Sequence, residues 1–196
     1  GIIHWNALLQ IVRYLKGTRN YALTLGGGKP ELSAYSDANW IGESTEGRSR
    51  TGGTVFFGNG PIVWTSKLQV SVSLSTCESE LVSLCSTCQD VMECRRIVIE
   101  LNDLDLLDLN GTLPPTVIYE DNASTIKVTQ TEKRHAGMRH IDMKYFYVRE
   151  RVLETKDVEV KPISTEKMTA DIFTKNLGAT LFKRHREALQ LFPISE

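Results

Sequence analysis

Ser33-Ala34-Tyr35-Ser36-Asp37-Ala38-Asn39-Trp40 alternates apolar and small polar residues with period two, the pattern of a strand buried on one face. Asp37 falls inside that run. Strands are depleted in Asp, and a buried carboxylate is costly unless something compensates it. A cation is one compensation; a strand-end Asp capping the turn through Ala38-Asn39 is the other. The pattern recurs along the chain. Glu80 lies in the opening turns of a predicted helix, Asp121 closes the apolar strand Thr116-Val117-Ile118-Tyr119, and Asp171 lies early in a late predicted helix. Each acid sits at a strand or helix end, where a shallow site at a sheet edge is built. Carboxylate oxygens in that arrangement suit Mg²⁺ or Mn²⁺. Two such ions about 3.5–4 Å apart activate a water and stabilise the leaving oxygen of a phosphodiester.

The 196 residues suffice for one domain plus an appendage. With 41% hydrophobic and 24% charged residues, the balance is that of a soluble globular protein, and no apolar run reaches the roughly 18 residues of a membrane span. A formal net charge of −1 rules out a globally basic nucleic-acid binder, so any such surface must be a local patch. All four cysteines (Cys77, Cys85, Cys88, Cys94) lie in one predicted helix. Cys85-x-x-Cys88 lacks a second pair with zinc spacing, and free cysteines packed in a core, in a reducing compartment, are the reading.

Trp5, Leu8, Leu9, Val12 and Leu15 predict a helix over 3–16, and a short strand follows at 21–25. Gly26-Gly27-Gly28-Lys29-Pro30 reads as a hinge, which makes residues 1–29 an appendage and 30–196 the main domain. Three strands open that domain: 32–37, 51–57, and 62–65 continuing to about 74, with glycine punctuation at Gly52-Gly53 and Gly58-Asn59-Gly60. Ser75 with Glu78 forms a capping box for a helix to about Leu101, so Glu78 has a capping role that Glu80 lacks. The strand 116–121, a short helix after Asn122, a helix over 138–154, a strand at 158–161 and helices at 165–175 and 180–191 complete the chain. This order predicts an α/β fold with a mixed five-stranded sheet. Three strands are antiparallel, two are reached through helical crossovers, and helices flank the whole.

Tyr35-Ser36-Asp37-Ala38-Asn39-Trp40, Pro61-Ile62-Val63-Trp64-Thr65-Ser66-Lys67, Ser75-Thr76-Cys77-Glu78-Ser79-Glu80, Ile118-Tyr119-Glu120-Asp121-Asn122, Arg139-His140-Ile141-Asp142 and Ala170-Asp171-Ile172-Phe173-Thr174-Lys175 resemble, in order, the ribonuclease H domain of copia-type retrotransposon polyproteins. The first 26 residues, with His4-Trp5 and Arg13-Tyr14-Leu15-Lys16-Gly17-Thr18, resemble the connector from the reverse transcriptase. The resemblance implies a ribonuclease H-like fold and a metal-dependent endonuclease that cleaves the RNA strand of RNA–DNA hybrids. It implies two Mg²⁺ ions, with Mn²⁺ as a substitute. Asp37 matches the carboxylate bridging them, Asp171 the ligand on the water-activating ion, and Glu80 and Asp121 the ligands of the other. Its implied partner is the reverse-transcriptase domain of the same polyprotein, with no membrane, in the cytoplasm or in virus-like particles. The chain departs from the family at Cys77, Leu81, Glu120 and Asn176. Strand alternation turns Glu120 away from Asp121.

Arg48, Arg50, Ser75 and Thr76 lie beside the acids and are candidate contacts to the RNA strand, with Asn122 next to Asp121. An excess of basic residues over 127–151, Arg139 and Lys144 among them, offers a phosphate-binding face for the DNA strand; an ordinary solvated helix face is the alternative. Many ribonucleases H carry a histidine on the loop before the fourth acid. Here Pro162 to Thr169 has none, which leaves His140 as the candidate proton carrier and a packed or capping histidine as its alternative. Two other functions compete with the hybrid nuclease. One is a catalytically silent copy acting as an interaction module, favoured by the four departures and opposed by the intact acids. The other is a DNA-directed nuclease such as an integrase, opposed by Arg139-His140-Ile141-Asp142 and the connector.

Overall fold

The computed structural model describes residues 1–41, 47–109, 111–131 and 142–194. After helix α1 (Ile2–Gly17) and the short strand β1 (Tyr21–Leu23), three antiparallel strands follow: β2 (Leu32–Asn39), β3 (Arg50–Phe57) and β4 (Gly60–Leu68). Helix α2 (Thr76–Asp103) leads to β5 (Thr116–Glu120). Helices α3 (Ala123–Thr129) and α4 (Asp142–Arg149), the second continued by a π-turn over Glu150–Glu154, precede β6 (Val158–Pro162). The five strands form one sheet in the order β4-β3-β2-β5-β6, with β2, β5 and β6 mutually parallel. This is the predicted mixed sheet. Because β2 and β5 run parallel, their carboxyl ends reach the same edge, which brings Asp37 and the residue following β5 side by side.

The 28-residue α2 is the spine of the core. Its start is fixed as the capping box predicts: the Ser75 hydroxyl accepts the Glu78 N–H (3.2 Å), and the Glu78 carboxylate accepts the Leu74 N–H (2.8 Å). Leu84, Cys88 and Val91 pack against Ala34, Val55 and Ile118, all fully buried, with Cys85 and Cys94 in the same cluster. The cysteines serve there as small apolar side chains.

Gly52-Gly53, read as punctuation between strands, sits inside β3, where each glycine admits a neighbour on a different face of the sheet. A Cβ at Gly53 would meet the Thr87 hydroxyl of α2 at 2.5 Å; one at Gly52 would meet the Thr174 methyl and, at 3.0 Å, the Ala170 carbonyl oxygen. The sheet is thus gripped at one point from both sides.

Three other elements differ from expectation. Val70-Ser71-Val72-Ser73-Leu74 alternates like a strand but pairs with none among the described residues; Val70, Val72 and Leu74 are exposed, and β4 ends at Leu68. Gln69 folds this stretch back, donating to the Ser79 carbonyl and accepting from Ser73. The helix expected over 165–175 is two 3₁₀ turns, Thr165–Lys167 and Thr169–Phe173, separated by Met168, which is extended and fully buried. The last helix, α5 (Ala179–Ala188), stops short of Leu191. Gln190, at φ 59°, turns the chain into a strand, β7 (Leu191–Pro193), that pairs antiparallel with β1. Tyr14 meets Phe182 edge-on (5.4 Å), and Arg186 lies over Tyr21 (4.7 Å), fastening the first residues to α5. Among the described residues no helix is long and apolar enough to cross a membrane.

Candidate active site

Asp37 leaves β2 on the face opposite α2, paired in register with Gly52. Ser83, one turn beyond Glu80, donates to the Asp37 carbonyl (2.7 Å) and the Gly52 carbonyl (3.2 Å), tying the start of α2 to the strand that carries Asp37. Glu80 therefore reaches the sheet edge from α2 while Asp37 and Asp121 reach it from the strand ends. One carboxylate oxygen of each of Asp37, Glu80 and Asp121 lies within 4.8 Å of the others. Asp121 is oriented by the Thr165 hydroxyl, which donates to its Oδ2 (2.8 Å).

Asp171 joins this cluster through a lysine. Lys175 Nζ donates to Asp171 Oδ1 (2.6 Å) and to Asp37 Oδ1 (3.1 Å), and the Thr174 hydroxyl donates to the other oxygen of Asp37. The segment is held in place by Asn39, which donates to the Thr174 carbonyl (3.2 Å), and by Ser66, which donates to the Phe173 carbonyl (2.6 Å). Thr174 and Lys175 were visible in the sequence only as part of a motif. The signal for Lys175 is its i,i+4 spacing from Asp171, which on a helical turn makes a pair.

The electrostatics follow from burial. Asp37, Glu80 and Asp171 are nearly inaccessible, and Asp121 is half-buried. Burial, reinforced by the charges of Glu120, Asp37 and Asp121, pushes the Glu80 carboxyl up to about 11. Burial also raises Asp37, against the Lys175 ammonium and the Thr174 hydroxyl. For Lys175 burial works downward, but Asp37 and Asp171 outweigh it and hold the ammonium charged. Glu120 is fully buried, with its carboxyl raised well above the usual range by burial and then by the charges of Asp121 and Asp37. Its second oxygen and Glu80 Oε2 are buried without a hydrogen-bond partner. Three converging carboxylates, one with an orphaned buried oxygen, fit a hard divalent cation.

The other candidates surround this edge. Ser75 and Thr76 are exposed at the start of α2, and Arg48 and Arg50 stand at the start of β3, where Arg50 reaches the Ser66 hydroxyl (3.5 Å). Asn122 caps α3, accepting from the Ser124 and Thr125 N–H groups. Lys144 is partly buried on α4. Arg151 is engaged by Asp157 and stacked on Tyr147. Arg139 and His140 lie outside the described residues.

The chain matches no protein-family model. It is 35% identical over 187 residues, 95% of its length, to the retrovirus-related Pol polyprotein from transposon TNT 1-94 of Nicotiana tabacum. Over 181 residues, 92% of its length, it is 34% identical to that from transposon RE2 of Arabidopsis thaliana. It spans 13% and 12% of those relatives' own length. Its fold is that of LC11-RNase H1, a ribonuclease H isolated from compost by a metagenomic approach. The TM-score is 0.53 at 13% identity, over 74% of this chain and 94% of that one.

Proposed function

We propose that this chain, a homologue of one segment of the Pol polyproteins of copia-type transposons with the ribonuclease H fold, hydrolyses the RNA strand of RNA–DNA hybrids during reverse transcription. The observation that carries this reading is the convergence of Asp37, Glu80 and Asp121 within 4.8 Å at the shared end of β2 and β5. Asp37, Glu80, Asp121 and Asp171 hold two divalent ions, Mg²⁺ or Mn²⁺. Bound there, the metal supplies Lewis acidity at the scissile phosphodiester and to the attacking water.

The protein's own contribution is preorganisation. Ser83 fixes the backbone of Asp37 relative to α2, the Thr165 hydroxyl fixes Asp121, and Thr174 fixes Asp37. Burial of the carboxylates keeps competing water from their oxygens and strengthens every interaction with charge that develops at the phosphate. Arg48, Arg50, Ser75, Thr76 and Asn122 contact the hybrid beside the acids, while Arg139 and Lys144 hold the DNA strand by its phosphates. His140 protonates the leaving oxygen. Residues 1–29 connect this domain to the reverse transcriptase of the same polyprotein, and the reaction takes place in the cytoplasm or in virus-like particles.

A labelled RNA–DNA hybrid incubated with the protein, with and without Mg²⁺, tests the reading. Metal-dependent cleavage of the RNA strand is the expected result. Binding of the hybrid with no cleavage at any metal concentration would replace it with the silent interaction module, and cleavage that survives a chelator would remove the metal from the reading.

A further inference from the structure

The acids at this site divide into two unequal halves. Asp37, Glu80 and Asp121 converge on one another, and Glu80 brings an oxygen with no hydrogen-bond partner. On the other side, the space between Asp37 and Asp171 is bridged by a positive charge from the chain itself, the Lys175 ammonium, at 3.1 and 2.6 Å. Both side-chain oxygens of Asp37 are engaged from that side, one by Lys175 and the other by Thr174. The two acids are almost wholly buried, whereas the lysine side chain is 32% exposed, so its head can swing outward while the acids stay in place.

We propose that the Lys175 ammonium is a tethered cation that closes the Asp37–Asp171 half of the site. The folded protein then takes up one divalent ion at Asp37, Glu80 and Asp121 and admits a second only by displacing the lysine. The inference rests on the metal-centre reading above and adds an order of occupancy to it. Its basis is charge balance: two buried carboxylates facing each other need a cation, and a tethered ammonium satisfies them at any metal concentration. A second ion between Asp37 and Asp171 displaces the ammonium and with it two charge-assisted hydrogen bonds, whereas the first meets an unpartnered oxygen at Glu80 and the remaining lone pairs of the Asp37 and Asp121 oxygens that Thr174 and Thr165 bond. The device keeps the acids in register without metal and makes full loading depend on whatever draws the lysine away, a nearby phosphate of the bound nucleic acid being a group of the right charge.

The test is Mn²⁺ uptake by the full chain without nucleic acid, followed by titration calorimetry and by the electron paramagnetic resonance of free Mn²⁺. The wild type is expected to bind one ion, with a second at least about tenfold weaker. In Lys175→Met the second affinity should rise by about tenfold or more while the first changes little. Lys175→Arg, which keeps the charge, should behave as the wild type. Melting in chelator checks the fold: Lys175→Met should melt lower than the wild type without metal and regain more on adding Mn²⁺. Two equal sites in the wild type, or a Lys175→Met protein that titrates like the wild type, would overturn the inference and leave the metal centre standing. No uptake by any of the proteins would remove the metal centre and the inference with it.

Discussion

Glu80→Gln should make the metal-free protein more stable while crippling the site. Glu80 is buried, faces the charges of Glu120, Asp37 and Asp121, and holds its proton up to about pH 11, against 4.5 when unperturbed. Between those two values the folded protein binds a proton that the unfolded chain has released, so stability falls as pH rises. At 1.36 kcal/mol per unit, keeping Glu80 protonated at pH 7 costs the fold up to about 3 kcal/mol, and at pH 5 under about 1. Glutamine matches the protonated acid in shape and carries no proton to lose. Its amide must find partners next to an oxygen position that has none, so the expected net gain is about 1–3 kcal/mol at pH 7 and close to zero at pH 5. Urea titrations in chelator at both pH values measure it. Wild-type stability should drop over that interval and the variant's should drop less, since the raised carboxyls of Asp37 and Glu120 remain in both. Adding Mn²⁺ should reverse the order, restoring the wild type and hardly affecting the variant. A Glu80→Gln protein less stable than wild type at pH 7 in chelator, or parallel pH slopes, would refute the account of Glu80 as a proton-holding acid awaiting a cation.

Other expectations follow from neighbouring contacts. Asp121→Asn retains an acceptor for the Thr165 hydroxyl, so the melting temperature should hold while hybrid cleavage falls at least about a hundredfold in a gel assay. Lys144→Ala should weaken hybrid binding and lower the slope of log affinity against log salt by about one, read by fluorescence anisotropy. Gly52→Ala puts a methyl group against the Thr174 methyl and the Ala170 carbonyl; about 1–3 kcal/mol of stability should be lost in denaturant titration, with cleavage falling as Thr174 and Lys175 shift from Asp37.

Much of the fold was legible because local signals and global packing agree. The Ser75–Glu78 capping box fixed the start of α2, period-two alternation located β2, and an acid out of place in a strand marked the site. What escaped was set by distant partners. The strand β7 is three residues long and exists because Tyr21–Leu23 lies beside it. Val70 to Leu74 has the alternation of a strand and, among the described residues, no strand to pair with. The 165–175 segment carries helical spacing, yet burial of Met168 and the bonds of Thr174 and Lys175 to Asp37 hold it as separate 3₁₀ turns. Gly52 and Gly53 signal a turn by composition and instead permit close approach from two faces, which only the partners Thr174 and Thr87 reveal. The site was legible as a set of acids. Its internal cation was not assigned, because an i,i+4 Asp–Lys pair is ordinary on a helix and is distinguished here only by Asp37.

The β1–β7 ribbon has a mechanical consequence. Its register pairs Tyr21 with Pro193 and Leu23 with Leu191, and the Ile194 N–H continues it to the Asn20 carbonyl (2.8 Å). Tension transmitted through residues 20 and 194 arrives at the same end of the ribbon, so the load falls on one rung at a time, Asn20–Ile194 first and Thr24–Gln190, whose N–H and carbonyl are 3.0 Å apart, last. Such a closure peels open like a zip at low force, whereas strands loaded from opposite ends resist in shear with all rungs at once. Tension entering at residues 20 and 194 thus meets the ribbon before the five-stranded sheet and its acids, and the ribbon acts as a mechanical fuse ahead of that sheet.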